Sequence, residues 1–195
     1  FVIKCNHGRK WHFIVKNKEK YLENPRLINI TRRQITGWLS QEFWCYAGFE
    51  MQYRNIKPQI IIEPLLRENV NREADEIFVY CFNGKAKYIV SLYVQGKEGI
   101  TPYDEELNIT EDIFGNSEEI IQKPVSENIR KAIELSKKLS EDFCFVRVDW
   151  MTYKNKLYFE ELTFTPYSGF QKLKTPEYDL KLGSLINLER FKNEL

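Results

Sequence analysis

The pattern of apolar and polar positions predicts a chain rich in strands. Apolar runs at residues 1–5 and 11–15 flank a polar turn, an arrangement that predicts a hairpin. Residues 60–66 begin with three isoleucines and predict a buried strand that bends at Pro64. Because a domain rarely begins inside a core strand, we also expect that an N-terminal portion of the protein precedes this sequence.

Two further hairpin patterns lie in the second half of the chain. Residues 76–82 and 86–94 flank Asn83-Gly84, the dipeptide most typical of a tight two-residue turn. Residues 147–151 and 157–166 are two apolar runs joined by a short polar turn. Both patterns predict antiparallel strand pairs.

Helical spacing of apolar residues predicts two longer helices and a short one at the C-terminus. The first runs from Thr31 to about Glu50, and the second covers residues 126–142 with Ser126 as a candidate N-cap. The expected apolar faces consist of Ile35, Leu39, Phe43 and Tyr46 in the first helix and Ile129, Ile133 and Leu139 in the second. We expect a charged loop at 67–75 and no firm element at 96–115. This strand-rich order predicts an α+β fold.

The composition is that of an ordinary soluble globular protein. The 195 residues are 43% hydrophobic and 29% charged, enough to form one or two small domains. A net charge of +1 gives no general attraction to nucleic acid, which is therefore not an expected partner. No apolar run approaches the roughly 18 residues of a transmembrane helix, although peripheral membrane association stays open. The four cysteines form no C-x-x-C pair, which favours reduced thiols and a cytoplasmic location.

The hairpin at 147–166 carries the clearest candidate chemistry. Asp149 and Glu161 are acids in apolar strands, where a buried charge is costly unless it is paired or binds a cation. Two such carboxylates suit Mg²⁺, with Thr163 adding a hydroxyl. Arg147 would neutralise charge on a transferred phosphoryl group. The alternative is a structural salt bridge in which Arg147 satisfies the acids, and spacing alone favours neither interpretation.

Period-two alternation predicts which side chains accompany these acids. It puts Arg147 on the face of Asp149. It also puts Leu157, Phe159 and Thr163 on the face of Glu161, and Glu160 on the opposite, solvated face.

Three patterns in the first third of the chain are weaker. Lys4 is a lone lysine in an apolar strand and could reach a nucleotide phosphate, although a strand-end lysine that extends to solvent is more common. Glu63 precedes the bend at Pro64, where exposed backbone groups suit an adenine edge; an edge-strand acid is the favoured alternative. His7 and His12 lack partner ligands for zinc, so we expect structural histidines.

Taken in chain order, these segments resemble the ATP-grasp superfamily. D-alanine–D-alanine ligases of that superfamily end their catalytic domain with an Arg-Ile-Asp strand, a turn and a strand carrying Glu-x-Asn-x-x-Pro-Gly. Arg147-Val148-Asp149 and the run Glu-Leu-Thr-Phe-Thr-Pro at 161–166 match these motifs, with Thr163 in the Asn position.

A closer resemblance is to the TupA-like ATP-grasp family of surface-polysaccharide biosynthesis. It covers nearly the whole chain in order, and the threonine at 163 is then a family trait. The matching segments are 1–8, 56–58, 62–63, 81–85, 147–149, 159–166 and 168–169.

The resemblance implies an ATP-grasp fold of antiparallel sheets with flanking helices. Residues 1–66 would form an incomplete N-terminal subdomain and residues 67–195 the catalytic subdomain. The implied roles are Mg²⁺ ligation by Asp149, Glu161 and Thr163, transition-state stabilisation by Arg147, phosphate binding by Lys4, an adenine hinge of Glu63, Leu65 and Leu66, ribose binding by Glu76, and an acceptor or acyl-phosphate site near Ser168 and Gly169.

The activity implied is that of an ATP- and Mg²⁺-dependent, ADP-forming carboxylate–amine ligase that acts through an acyl-phosphate. Its partners would be ATP and a carboxylate-bearing glycan or amino acid of a cell-surface polysaccharide. Two departures from the family leave a catalytically impaired nucleotide- or glycan-binding domain as an alternative. The loop Arg9-Lys10-Trp11 is bulky, and a usual lysine is missing near Phe78. An ATP-grasp kinase is a third hypothesis.

Overall fold

The computed structural model describes residues 1–46, 50–66, 74–93, 99–115 and 119–189. The chain divides into two compact units, Phe1–Leu66 and Arg67–Leu195. The functional assignment of residues 1–66 and 67–195 as ATP-grasp subdomains stays a prediction.

Unit 1 is built on a small antiparallel sheet with the strand order β2-β1-β3. Its strands are β1 (Val2–Cys5), β2 (His12–Ile14) and β3 (Ile60–Glu63). The predicted hairpin of β1 and β2 is confirmed. The prediction of a buried third strand is wrong, because β3 lies at the sheet edge and Ile62 is 66% exposed.

The helices of unit 1 differ from the predicted one. They are α1 (Lys18–Leu22), α2 (Pro25–Leu39) and α3 (Phe43–Tyr46). The prediction of one helix from Thr31 to about Glu50 is wrong at both ends. The helix starts earlier because Asn24 Oδ1 accepts a hydrogen bond from Leu27 N at 3.0 Å and proline occupies the first helical position.

Unit 2 is built on a five-stranded antiparallel sheet with the order β6-β5-β4-β7-β8. Its strands are β4 (Asp75–Phe82), β5 (Lys85–Tyr93), β6 (Gly99–Tyr103), β7 (Phe145–Tyr153) and β8 (Lys156–Thr163).

Left-handed residues close the β4–β5 hairpin and the β7–β8 hairpin. Asn83 and Gly84 have φ values of 50° and 77°, and Lys154 and Asn155 have 48° and 58°. Two consecutive positive φ values match the right-handed twist of paired strands. Both hairpin predictions are therefore confirmed.

Two expectations about the loops of unit 2 change. Strand β6 lies where no firm element was expected, since pairing with β5 holds a segment of weak strand propensity. Its Pro102 is tolerated in an edge strand. Of the loop predicted at 67–75, residues 67–73 lie outside the described residues and Asp75 already begins β4.

One face of the five-stranded sheet packs against helix α4 (Glu127–Leu139). Ser126 Oγ accepts from Ile129 N at 3.2 Å, so the predicted helix and its N-cap are confirmed. Leu139 is exposed, contrary to its expected place on the apolar face. Trp150 Nε1 donates to Ser136 Oγ at 2.8 Å, which ties β7 to this helix.

The opposite face of the sheet carries a second, mainly aromatic cluster. Tyr80, Phe82 and Tyr88 belong to it. Helix α5 (Pro176–Gly183), the predicted C-terminal helix, packs Tyr178 against it. The two faces of the sheet therefore differ: one packs against α4, and the other carries the mainly aromatic cluster against which α5 packs.

The cysteines and helices add two further observations. All four cysteines are free, as expected of reduced thiols, and Cys45 is exposed. Among the helices of the described residues, none is both long and apolar enough to cross a membrane.

A substitution at Gly99 would test how tightly β6 is packed. A Cβ there would lie 2.4 Å from Glu119 O and 2.7 Å from Ile121 Cδ1, so we expect Gly99→Ala to lower the free energy of unfolding by about 1–3 kcal/mol. Gly183→Ala is the control, because nothing lies within 4 Å of its added Cβ. Urea unfolding followed by tryptophan fluorescence compares them, and equal stabilities would contradict the close packing.

Candidate active site

A β-bulge determines where the acids of the β7–β8 hairpin point. Asp149 is paired with Glu161, but Trp150 is paired with Phe159, so Glu160 is an extra residue in β8. Such an insertion interrupts the alternation of side chains along a strand. The bulge therefore places the side chains of Phe159 and Glu161 on opposite faces of the sheet, although regular alternation would place them on the same face.

The prediction that Leu157, Phe159, Glu161 and Thr163 share one face is consequently wrong. Leu157 packs into the core on the α4 side. The Phe159 ring contacts Trp150 with centroids 5.7 Å apart. Glu161 and Thr163 instead join Asp149 on the other face, where their oxygens meet. The orientation predicted for Glu160 stays a prediction.

Four side chains converge on that face. Arg147 donates from Nε to Asp149 Oδ1 at 2.7 Å and from Nη2 to Asp149 Oδ2 at 2.6 Å. The Thr163 hydroxyl lies 2.9 Å from Asp149 Oδ2 and 3.2 Å from Glu161 Oε1. The register predicts this grouping, since Arg147 is opposite Thr163 and Asp149 is opposite Glu161. We call these four residues the carboxylate cluster.

Burial makes the ion pair at the centre of the cluster strong. The Asp149 side chain is 2% exposed and that of Arg147 is 12% exposed. Burial of the Arg147 guanidinium tends to lower its pKa, but the hydrogen bonds and negative charge of Asp149 outweigh this and raise it. Arg147 and Asp149 thus form the salt bridge of the alternative interpretation, while Glu161 is exposed.

Two aromatic residues that sequence reasoning missed lie against the arginine. The Arg147 Cζ atom is 4.6 Å from the centroid of the Phe78 ring and 5.9 Å from that of Tyr80. The register explains the contact, because Phe78 is opposite Asp149 and Tyr80 is opposite Arg147. Burial is the main cause that raises the pKa of Tyr80 to about 12. The sequence did contain a sign of this contact, because β4 has an aromatic residue at every second position from Phe78 to Phe82.

The other predicted residues of unit 2 lie nearby in strand order. Glu76 is opposite Met151, two residues before Phe78 in β4. Ser168 and Gly169 follow β8 in a 3₁₀ turn with φ values of 56° and 77°. A serine in left-handed conformation is a strained backbone position, of a kind that clusters at functional sites.

In unit 1 the structure brings two predicted residues together. Lys4 Nζ lies 2.5 Å from Glu63 Oε1, between strands β1 and β3. The two side chains are 35% and 42% exposed. Leu65 and Leu66 follow β3 and are half-buried. Lys4 is therefore neither extended alone into solvent nor buried without a partner.

The loop after Lys4 is closed by aromatic packing. His7 is buried and its Nε2 lies 3.0 Å from Trp38 O, so this nitrogen must donate to the carbonyl. Its Nδ1 atom has no hydrogen-bond partner among the described residues, so the expected structural histidine is only partly satisfied. The Trp11 ring lies against Gly8, where a Cβ would be 2.5 Å from Trp11 Cε3. His12, in contrast, is exposed.

The buried ion pair gives a stability test. Arg147→Met leaves the Asp149 carboxylate buried without its counter-ion, so we expect a loss of about 3–5 kcal/mol in the free energy of unfolding. The double variant Arg147→Met/Asp149→Leu should recover most of that loss, because neither charge remains.

The exposed pair of Lys138 and Glu134, 3.6 Å apart in α4, provides the control. Lys138→Met should change stability by about 0.5 kcal/mol or less. Urea unfolding measures all three variants. A double variant as unstable as Arg147→Met alone would show that the pair is not the source of the loss.

Comparison with known proteins identifies the family. No curated protein and no solved structure matches the chain. A family model described as TupA-like ATPgrasp matches residues 1–187 of 195. Two antiparallel sheets with few helices are consistent with an ATP-grasp domain. Because the match spans nearly the whole sequence, the chain belongs to the TupA-like ATP-grasp family.

Proposed function

We propose that this protein is an ATP- and Mg²⁺-dependent, ADP-forming ligase that joins a carboxylate to an amine. Membership of the family suggests ATP-dependent, ligase-type chemistry. The observation that carries the proposal is the convergence of the Asp149, Glu161 and Thr163 oxygens beside Arg147. A hard oxygen site next to a guanidinium suits phosphoryl transfer.

The donor set of the cluster fits Mg²⁺. Mg²⁺ prefers oxygen ligands and is usually held by one or two carboxylates together with substrate phosphates and water. Asp149 and Glu161 supply two carboxylates, and the Thr163 hydroxyl lies within hydrogen-bond distance of both. Among the described residues, no group of three or more His, Cys, Asp or Glu side chains could hold a metal ion. The proposed site therefore needs phosphate oxygens and water as further ligands. Bound Mg²⁺ would neutralise charge on the transferred phosphoryl group.

Arg147 would contribute the second positive charge. In this reaction a carboxylate oxygen of the substrate attacks the γ-phosphorus of ATP. The bond between the γ-phosphorus and the β-phosphate oxygen breaks, which gives ADP and an acyl-phosphate. The amine then attacks the acyl carbon, inorganic phosphate departs and the nitrogen loses a proton. Negative charge develops on the phosphoryl oxygens in the first step, where a planar guanidinium can stabilise it by hydrogen bonds.

Unit 1 would contribute binding of the nucleotide. The ammonium group of Lys4 would leave the carboxylate of Glu63 and bind an ATP phosphate instead. The main-chain groups of Glu63 would form hydrogen bonds to the edge of adenine. The half-buried side chains of Leu65 and Leu66 would form an apolar surface beside it. In unit 2, Glu76 would bind the ribose.

We further propose that the substrate is a carboxylate-bearing glycan or amino acid of a cell-surface polysaccharide, processed in the cytoplasm. Support comes from the resemblance to the family, which is an analogy. Ser168 and Gly169, in the strained turn after β8, are the proposed acceptor contacts.

Glu161→Gln tests the metal assignment. We expect Mg²⁺-ATP to bind by isothermal titration and the variant to bind at least about tenfold more weakly, since one charged ligand is lost. Glu160→Gln is the matched control, an exposed neighbour with the same change in charge, and should stay within about twofold. Equal affinities of the two variants would contradict the assignment.

The same preparation separates the candidate activities. ADP formation with mixtures of uronates and amino acids, and a joined product by mass spectrometry, would support the ligase. ADP with a phosphorylated hydroxyl would indicate a kinase, and binding without ADP a non-catalytic domain. Either of these results would overturn the proposed reaction.

Lys4→Gln tests nucleotide binding by unit 1. We expect the affinity for Mg²⁺-ATP to fall about tenfold, because a cation opposite a phosphate is lost. The control is Lys87→Gln, a strand lysine that also pairs with a glutamate, Glu105. An unchanged affinity of Lys4→Gln would remove Lys4 from the nucleotide site.

A further inference from the structure

Two separate supports hold the guanidinium of Arg147. One is the pair of charged hydrogen bonds to Asp149, at 2.7 and 2.6 Å. The other is the aromatic surface of β4, with Phe78 at 4.6 Å and Tyr80 at 5.9 Å from Cζ to ring centroid. The supports come from different strands and differ in kind: one is a pair of charged hydrogen bonds, and the other places aromatic rings next to the guanidinium carbon.

The first support cannot persist unchanged if Asp149 binds a cation. Both carboxylate oxygens of Asp149 already accept hydrogen bonds from Arg147, and Oδ2 also faces the Thr163 hydroxyl. A divalent ion bound to these oxygens competes with the guanidinium for the same negative charge and repels it. Metal ligation therefore weakens the hold of Asp149 on the arginine at the stage when the arginine is needed.

The second support is independent of Asp149. An aromatic face attracts a guanidinium through its quadrupole, and the attraction strengthens when the pair is removed from water. The Arg147 side chain is only 12% exposed. The ring also restricts the long side chain, whose conformational entropy would otherwise be regained on release.

We propose that Phe78 is a positioning residue that keeps Arg147 at the carboxylate cluster when a divalent cation occupies Asp149, with the ring of Tyr80 as its neighbour. This inference rests on the proposed function. It assigns a role to an aromatic side chain that touches neither metal nor substrate and acts through the arginine.

The aromatic cluster offers a matched control for this role. Phe145 belongs to the same cluster and is likewise half-buried, but its ring contacts Phe82, with centroids 5.0 Å apart. Phe145→Leu therefore removes the same ring from the same layer as Phe78→Leu. Only the latter removes the ring beneath Arg147.

The test observes the Nε–Hε group of Arg147 by NMR of the ¹⁵N-labelled chain, with the signal assigned by its loss in Arg147→Lys. Spectra are recorded without metal and with saturating Mg²⁺ and the β,γ-imido analogue of ATP. In the native chain we expect the Hε signal to shift on saturation, as the Asp149 bond opens, and to stay sharp. In Phe78→Leu it should be sharp without metal and broadened or lost on saturation.

Rescue and kinetics complete the test. Phe78→Trp, which retains an aromatic face, should behave as the native chain, and so should Phe145→Leu. Phe78→Met, which better preserves the length of the side chain but has no aromatic face, should behave as Phe78→Leu. We expect Phe78→Leu to bind Mg²⁺-ATP within about threefold of native affinity and to form ADP about tenfold more slowly.

A sharp Hε signal in saturated Phe78→Leu, or its loss in Phe145→Leu as well, would overturn the positioning role while leaving the proposed function intact. No spectral change in the native chain at saturating Mg²⁺ and nucleotide analogue would overturn the proposed function, and this inference with it.

Discussion

Burial of the Asp149 carboxylate is the constraint on which the arrangement of the carboxylate cluster depends. A carboxylate removed from water must be paired, and here one guanidinium supplies two charged hydrogen bonds to it. The arginine must then be buried as well, which requires a surface that tolerates a cation. Phe78 and Tyr80 form that surface. One buried charge therefore dictates the residue types on two neighbouring strands.

The bulge at Glu160 completes the arrangement by changing the phase of one strand. Without the extra residue, the register that pairs Phe159 with Trp150 would place Glu160 opposite Asp149. The insertion allows the Phe159 ring to contact Trp150 on the α4 side of the sheet and still presents Glu161 and Thr163 to the cluster. A single hairpin thus presents apolar side chains to one face of the sheet and the carboxylate cluster to the other.

The sequence revealed which residues matter more readily than where they point. Asp149 stood out because an acid in an apolar run is costly, and that argument needs no register. The bulge was missed because counting by twos cannot locate an inserted residue, although the double acid Glu160-Glu161 already broke the alternation. Phe78 was missed because its contact with Arg147 depends on the pairing of strands about 70 residues apart. Propensity also failed at β6, where pairing with β5 prevails.

The two ion pairs formed by the predicted site residues differ in a way that bears on how a ligand would open them. Lys4 and Glu63 are both more than a third exposed, so water and salt can replace each partner and the pair separates easily. Arg147 and Asp149 are nearly enclosed, so removal of either partner leaves a buried charge without its counter-ion, which is costly. In the proposed function a nucleotide phosphate would replace Glu63 at Lys4, whereas separating the buried pair would need a cation for Asp149 and an anion or the aromatic surface for Arg147. A metal–phosphate complex carries both charges, so we expect the buried pair to favour it over free metal or free phosphate.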